Sequence, residues 1–164
     1  MPPNERDWLA NRATKLSLTG AFLAIMAAFS ARLTGRRETL EIRPFELVLL
    51  GLSTYRTGRL VAFERVTAPL REPFTETRPD DSGAGEVVVA RGSGTRRVLG
   101  ELVSCPVCVG TWVAAGMVYG LHLAPRPTRV YLAIMGTTGA AELLNCSAEA
   151  LGWLGRAARK DAGS

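Results

Sequence analysis

The chain has 164 residues and a formal net charge of +5, so it is the size of one ordinary domain and has a basic surplus. Hydrophobic residues make up 47% and charged residues 21% of it, yet the charges are concentrated outside four long apolar stretches. This segregation excludes a disordered chain, a disulfide-stapled miniprotein and a large multidomain enzyme, and it favours a membrane protein. The four stretches are residues 16–31, 45–63, 106–124 and 130–154, and their only charged residues are Glu46, Arg56, Arg59, Glu142 and Glu149.

The first stretch, residues 16–31, has no charged residue and lies between Lys15 and Arg32. As a helix it rises about 24 Å, and the snorkelling side chains at its ends extend it toward a hydrocarbon core of about 30 Å. Its basic start and its small-residue end also fit a cleaved signal peptide, which would leave three spans. We favour an uncleaved anchor, because further apolar stretches follow.

The second stretch, residues 45–63, contains two arginines one helical turn apart, Arg56 and Arg59. A helix with this polar content is predicted to lie inside a bundle or an oligomer instead of facing lipid. Two alternatives remain open for the arginines. Either they snorkel to the membrane surface, or they form intramembrane charge pairs with Glu142 or Glu149 of the fourth stretch.

Residues 64–105 form a polar connection between the second and third stretches. Its first part, residues 65–74, mixes basic and apolar residues, a composition that can lie along a membrane surface. The Pro/Gly/Asp-rich residues 76–86 are predicted to be flexible. Two β-type runs, residues 87–91 and 95–99, flank a Gly-Ser-Gly sequence and are predicted to form a small hairpin.

The third and fourth stretches, residues 106–124 and 130–154, are separated by residues 126–129 and a proline. So short a link predicts that their helices form an antiparallel hairpin. The fourth stretch carries its polar residues on one helix face. These are Glu142, Asn145, Cys146 and Glu149.

The Lys and Arg residues predict which side of the membrane each segment faces. With four spans, twelve of them lie on the side of both termini and residues 64–105, and six lie on the opposite side. We therefore predict a multi-pass protein of the cell membrane with cytoplasmic N- and C-termini. Its predicted partners are the lipid bilayer and either a second copy or another membrane protein. No nucleic-acid partner is predicted, since the basic residues flank apolar spans.

Two sequence runs carry a family resemblance. TYRTGRLVAFERVTAPLREPF begins at Thr54, and RVLGELVSCPVCVGTW follows a glycine-rich turn. Together with the final small-residue helix they resemble domain of unknown function 1360, a bacterial family of small membrane proteins. The resemblance covers residues 45–150 and implies an integral membrane protein without an established activity, one member being named a sporulation protein. We divide the chain into residues 1–40, a membrane domain of residues 41–154 and a basic tail of residues 155–164.

Cys105 and Cys108 are the sharpest chemical feature of the sequence. Two thiols three residues apart at a helix start can be redox partners, because the helix N-terminus stabilises a thiolate. The same spacing can provide half of a zinc or iron site, or the thiols can simply pack as small apolar groups. Helix rises bring Cys146 and Glu142 to a similar depth, so a cluster of three thiols and one carboxylate is predicted. Helix rise excludes His122 from this cluster, and we expect it at the other membrane face as an interfacial anchor, together with Tyr119 and Trp112.

The sequence therefore predicts an all-α integral membrane bundle of about four transmembrane helices with a polar cytoplasmic loop. Its expected role is a structural or interaction component of the bacterial cell envelope. The alternative is a membrane thiol oxidoreductase or a metal-binding protein that uses Cys105 and Cys108. No nucleophile–base set is present, so enzymatic activity rests on this thiol pair alone, and no cofactor is expected unless the thiols hold zinc or iron.

Overall fold

The structure is a computed structural model that describes residues 5–36, 41–80, 83 and 85–162. It is mostly helical, in broad agreement with the all-α prediction, and a two-stranded sheet lies in the polar connection. In chain order the elements are α1 (Glu5–Arg36), α2 (Pro44–Phe63), a 3₁₀ turn (Arg65–Thr67), α3 (Ala68–Arg71), β1 (Thr75–Pro79), β2 (Glu86–Ala90), α4 (Gly94–Ser104), α5 (Pro106–Leu123) and α6 (Pro125–Ala162).

The last helix is longer than predicted. It begins at Pro125 and continues to Ala162, whereas the sequence predicts residues 130–154. Proline fits the first turn of a helix, where its missing N–H leaves no bond unmade, so residues 126–129 are helical and not a loop. Ala124 alone separates α5 from α6, which keeps the predicted sharp turn between them. The bounds of α2 and α5 agree with the predicted ones to within one residue.

α2 and α6 lie side by side and run in the same direction. Near the start of both helices, the Nε atom of Arg129 is 2.9 Å from the Oε1 atom of Glu46. Further along, a Cβ atom at Gly139 would stand 2.6 Å from the carbonyl oxygen of Leu52. Only glycine permits so close an approach of the two backbones, as in tightly packed membrane helices.

α5 runs antiparallel to α2 and packs on another part of its surface. A Cβ atom at Gly58, near the end of α2, would stand 2.6 Å from the carbonyl oxygen of Pro106 at the start of α5. Leu50, Met117 and Leu132, one from each of α2, α5 and α6, form the buried apolar core. α2 packs more extensively against α5 and α6 than those two helices pack against each other, so α2 is the central helix.

α1 lies along α5 through ring contacts. The ring of Phe22 meets that of Trp112 edge-on, with centroids 5.0 Å apart. Two turns further along α1, the ring of Phe29 lies 4.1 Å from that of Tyr119 and 5.7 Å from that of His122. α1 therefore runs parallel to α5, and the three side chains predicted as interfacial anchors contact this helix.

The predicted hairpin is wrong in its partner. β2 pairs antiparallel with β1, with Thr75 opposite Ala90, and residues 95–99 belong to α4. Positive φ angles at Gly92 and Gly94 turn the chain out of the sheet. In the helix that follows, Val98 is buried and the neighbouring Arg96 and Arg97 are exposed. The run of residues 95–99 is too short to distinguish this helical pattern from that of a strand. β1 also overlaps residues 76–86, which the sequence predicts to be flexible. Positions 81, 82 and 84 of that segment lie outside the described residues.

Two helices of the described part of the chain are long and apolar enough to cross a membrane. These segments are Asp7–Arg32, within α1, and Pro106–Leu123, which is α5. α2 and α6 are not among them, because polar side chains lower their mean hydropathy. Helix length and composition therefore support two spans and do not by themselves establish the predicted bundle of four.

Candidate functional site

Four charged side chains alternate in sign where α2 approaches the middle of α6. The Nε atom of Arg59 is 2.9 Å from Oε1 of Glu142. Arg56 lies between two carboxylates, with its Nη1 atom 2.8 Å from Oε1 of Glu64 and 3.5 Å from Oε2 of Glu142. Two guanidinium groups and two carboxylates make the cluster neutral overall, which lowers the cost of withdrawing it from water. We call these four residues the ion network.

The inner members of the ion network are partly shielded from solvent. The side chains of Arg56 and Glu142 are each 23% exposed, whereas those of Arg59 and Glu64 are 44% and 45% exposed. Gly139, one turn before Glu142, allows the backbone of α6 to lie against Arg56 and thereby brings the carboxylate into reach. Among the residues that the structure describes, the buried Oε2 atom of Glu142 has no hydrogen-bond donor, so its contact with Arg56 at 3.5 Å is electrostatic.

The structure brings Arg56 and Arg59 to Glu142 and not to Glu149. Glu149 lies about 10 Å further along α6, where its Oε1 atom accepts a hydrogen bond from the side chain of Asn145 at 3.1 Å. Of the two predicted acidic partners, Glu142 is therefore the one that contacts both arginines.

Arg71, the last residue of α3, is a buried residue that caps the end of α2 and that the sequence pattern does not single out. Its side chain donates hydrogen bonds to the carbonyl oxygens of Glu64 (2.6 Å), Phe63 (3.2 Å) and Val61 (3.3 Å), and to the hydroxyl of Thr67 (3.0 Å). The last carbonyls of a helix need donors from outside it, and α2 ends without a glycine cap. The sequence signal that could have identified Arg71 is this missing cap, with Thr67 and Arg71 following within eight residues of the end of α2.

Cys105 and Cys108 lie together at the start of α5. The sulfur of Cys105 accepts a hydrogen bond from the backbone N–H of Cys108 at 3.3 Å. The Cys108 thiol, and then this N–H, stabilise the thiolate and hold the pKa of Cys105 below its ordinary value. Cys108 is exposed and lines a cavity of about 480 Å³ between α1, α4 and α5, together with Lys15 and Glu101.

The predicted cluster of three thiols and a carboxylate is not assembled. Cys146 is exposed on α6, and Glu142 is engaged by two arginines. Cys108 faces α1 and α4, whereas α6 packs chiefly on α2. The thiols of Cys108 and Cys146 therefore lie at a similar depth along their helices but on different sides of the bundle. Within the described ranges, no three His, Cys, Asp or Glu side chains come together as metal ligands would.

Comparison with known proteins places the same helices in one family. The model of the family described as "Protein of unknown function (DUF1360)" matches residues 49–148, which run from α2 into α6. The chain belongs to the DUF1360 family. It is also 34% identical over 109 residues to sporulation protein YjcA of Bacillus subtilis (strain 168), an alignment that covers 63% of this chain and 92% of that protein. No solved structure matches the chain significantly.

The family match includes the whole ion network, Arg71 and the thiol pair, and it leaves α1 outside. This agrees with the resemblance inferred from the sequence over residues 45–150.

Replacement of the two arginines separates their roles. Arg56→Ala leaves Glu142 and Glu64 short of their shared cation and is expected to destabilise the protein by about 2 kcal/mol or more, toward the range for breaking a buried pair. Arg59→Ala removes a more exposed partner and is expected to cost about 1 kcal/mol or less. Thermal unfolding of the detergent-purified variants measures both, and equal losses would contradict the assignment of Arg56 as the central cation.

Proposed function

We propose that this DUF1360 protein is a multi-pass protein of the cell membrane in which α1, α2, α5 and α6 cross the bilayer. The observation that carries the proposal is α1: no residue of its apolar segment, Asp7–Arg32, is buried. A core helix of a soluble protein would bury such a face, whereas lipid covers it without a protein partner.

Exposed apolar side chains on the other helices support the same proposal. α2 exposes Phe45, Leu47 and Val48, and α6 exposes Val130 and Ile134, all by more than half. Arg56 and Arg59 of α2 are instead paired with Glu142 of α6 in the ion network, as charges inside a membrane usually are. Lipid is therefore the proposed main partner.

Helix direction and charge together support cytoplasmic termini. α1 and α5 run one way and α2 and α6 the other, as four successive crossings require. The polar connection between α2 and α5 then lies on the same side as both termini. That side carries twelve Lys and Arg residues against six on the other, so we assign it to the cytoplasm.

Within the bacterial cell envelope we propose a structural or interaction role. The charged side chains near the end of α2 bond one another in the ion network, and buried Arg71 bonds the last carbonyls of that helix, so both serve to fix helices in place. The name of the Bacillus subtilis relative assigns it to sporulation and specifies no reaction. A role in assembly with a second copy or another membrane protein is part of this proposal.

Labelling of single cysteines tests the crossing and its direction. In a Cys105→Ser, Cys108→Ser, Cys146→Ser background, an impermeant maleimide applied to intact cells should label Glu41→Cys, which precedes α2, and should spare Glu86→Cys on β2 until the cells are opened. Both positions are exposed, so sidedness alone separates them. The reverse pattern would overturn the orientation, and release of the protein from membranes by urea without detergent would overturn the crossing.

A second candidate function is thiol–disulfide exchange at Cys105 and Cys108, favoured by the hydrogen bond that the Cys105 sulfur accepts. The Cys105 thiolate would attack a protein disulfide and displace one thiolate, and the Cys108 thiolate would then attack the mixed disulfide. The pair would end as a disulfide and the partner as a dithiol. A dithiol reductant would return the pair to its starting state.

The pH dependence of alkylation tests the activation of Cys105. In a Cys146→Ser chain, the iodoacetamide reaction of Cys105 should have its midpoint below that of an ordinary thiol. Cys108→Ala removes the thiol donor that favours the thiolate and should move the midpoint to higher pH. Mass spectrometry of the alkylated peptide resolves Cys105 from Cys108, and an unchanged midpoint would exclude the activation.

A further inference from the structure

The chain leaves α2 through a turn that directs its polar groups inward and its apolar groups outward. We call residues 63–71 the exit turn. Val66 and Leu70 are 78% and 77% exposed, among the most exposed large hydrophobic side chains described. Phe63, at the start of the exit turn, is 47% exposed. Thr67 and Arg71, by contrast, are buried.

The buried polar pair replaces water at the end of α2. The hydroxyl of Thr67 donates to the carbonyl oxygen of Leu60 at 2.6 Å, and the guanidinium of Arg71 donates to those of Val61, Phe63 and Glu64. In water, the last carbonyls of a helix can bond solvent and need no buried guanidinium. Internal satisfaction of backbone groups is the condition that a water-poor environment imposes.

Arginine and aromatic side chains beside the exit turn identify the kind of surface that it meets. The guanidinium of Arg59 lies 5.7 Å from the ring centre of Phe63 and 5.8 Å from that of Tyr55, and Arg65 is exposed within the turn. Aromatic rings and cations together are typical of the membrane–water interface, where the cations meet lipid phosphates. Arginine and aromatic residues are also frequent at protein–protein interfaces, so the position of this combination at the end of a proposed span is what favours lipid.

We infer that the exit turn is an interfacial anchor that places Phe63, Val66 and Leu70 at the boundary between the headgroups and the acyl chains of the bilayer. This inference rests on the proposed membrane crossing of α2. The hydrogen bonds of Thr67 and Arg71 fix the conformation of the exit turn. Its apolar side chains therefore project outward while the last carbonyls of α2 stay hydrogen-bonded. The anchor fixes the depth of α2, and with it the level of the ion network, in the cytoplasmic leaflet.

Fluorescence quenching in reconstituted vesicles tests the anchor. The full chain with all native cysteines changed to Ser carries one bimane-labelled cysteine and is reconstituted into phosphatidylethanolamine–phosphatidylglycerol vesicles. Val66→Cys and Leu70→Cys should be quenched by a shallow lipid-borne nitroxide, and their quenching by aqueous iodide should be several-fold weaker than that of Glu86→Cys. Glu86 is the matched control, since it is exposed on β2 of the same connection.

A label at Leu23→Cys in α1 separates failure of the anchor from failure of the membrane proposal, because Leu23 is 60% exposed in the middle of the charge-free stretch. If a deep nitroxide quenches Leu23→Cys while iodide quenches Val66→Cys as strongly as Glu86→Cys, the anchor is wrong and the crossing stands. If neither the shallow nitroxide nor iodide quenches the label at Val66→Cys, protein covers the exit turn and the lipid assignment is wrong. If iodide quenches Leu23→Cys, both proposals fall.

Discussion

Glu142 holds two arginines of a neighbouring helix at once, and this contact determines how α6 lies along α2. The carboxylate reaches Arg56 and Arg59 only because Gly139 lets the two backbones approach closely. Glu64 then engages Arg56 from the other side, so that the charges at this end of α2 compensate one another. The opposite end is fixed by the pair of Glu46 and Arg129. α2 is thereby held in register with α6 at both ends, with the apolar core between them.

The energetic meaning of this arrangement depends on the medium. On a protein surface in water, such pairs contribute little, because solvent screens the charges. Next to lipid, an unpaired guanidinium is costly, and a neutral network becomes a condition for placing α2 in the bilayer at all. The same reasoning applies to Arg71, whose donors satisfy carbonyls at the end of α2. On the proposed crossing of α2, helix placement accounts for the polar groups of this region.

The sequence predicts well those features that depend on local pattern. Apolar runs bounded by proline and charge locate α2 and α5 within one residue, and the spacing of Arg56 and Arg59 identifies the polar face of α2. Features that depend on which surfaces meet are not contained in such patterns. The partner of β2, the inward turn of Arg71 and the separation of Cys146 from Cys108 all follow from tertiary packing. Helical rise gives the depth of the thiols, but it does not say which side of α2 each of them faces.

The parallel contact of α2 with α6 is the central claim, and disulfide trapping tests it most directly. A Cβ atom at Gly136 would stand 3.4 Å from the hydroxyl oxygen of Ser53, a separation that a disulfide can bridge. In a background with all native cysteines changed to Ser, Ser53→Cys with Gly136→Cys should crosslink with copper–phenanthroline. As the control, Ser53→Cys in a Cys105→Ser, Cys108→Ser chain that keeps Cys146, about 15 Å further along α6, should not crosslink. Failure of the first pair while both of its thiols react with maleimide would contradict the packing of α6 on α2.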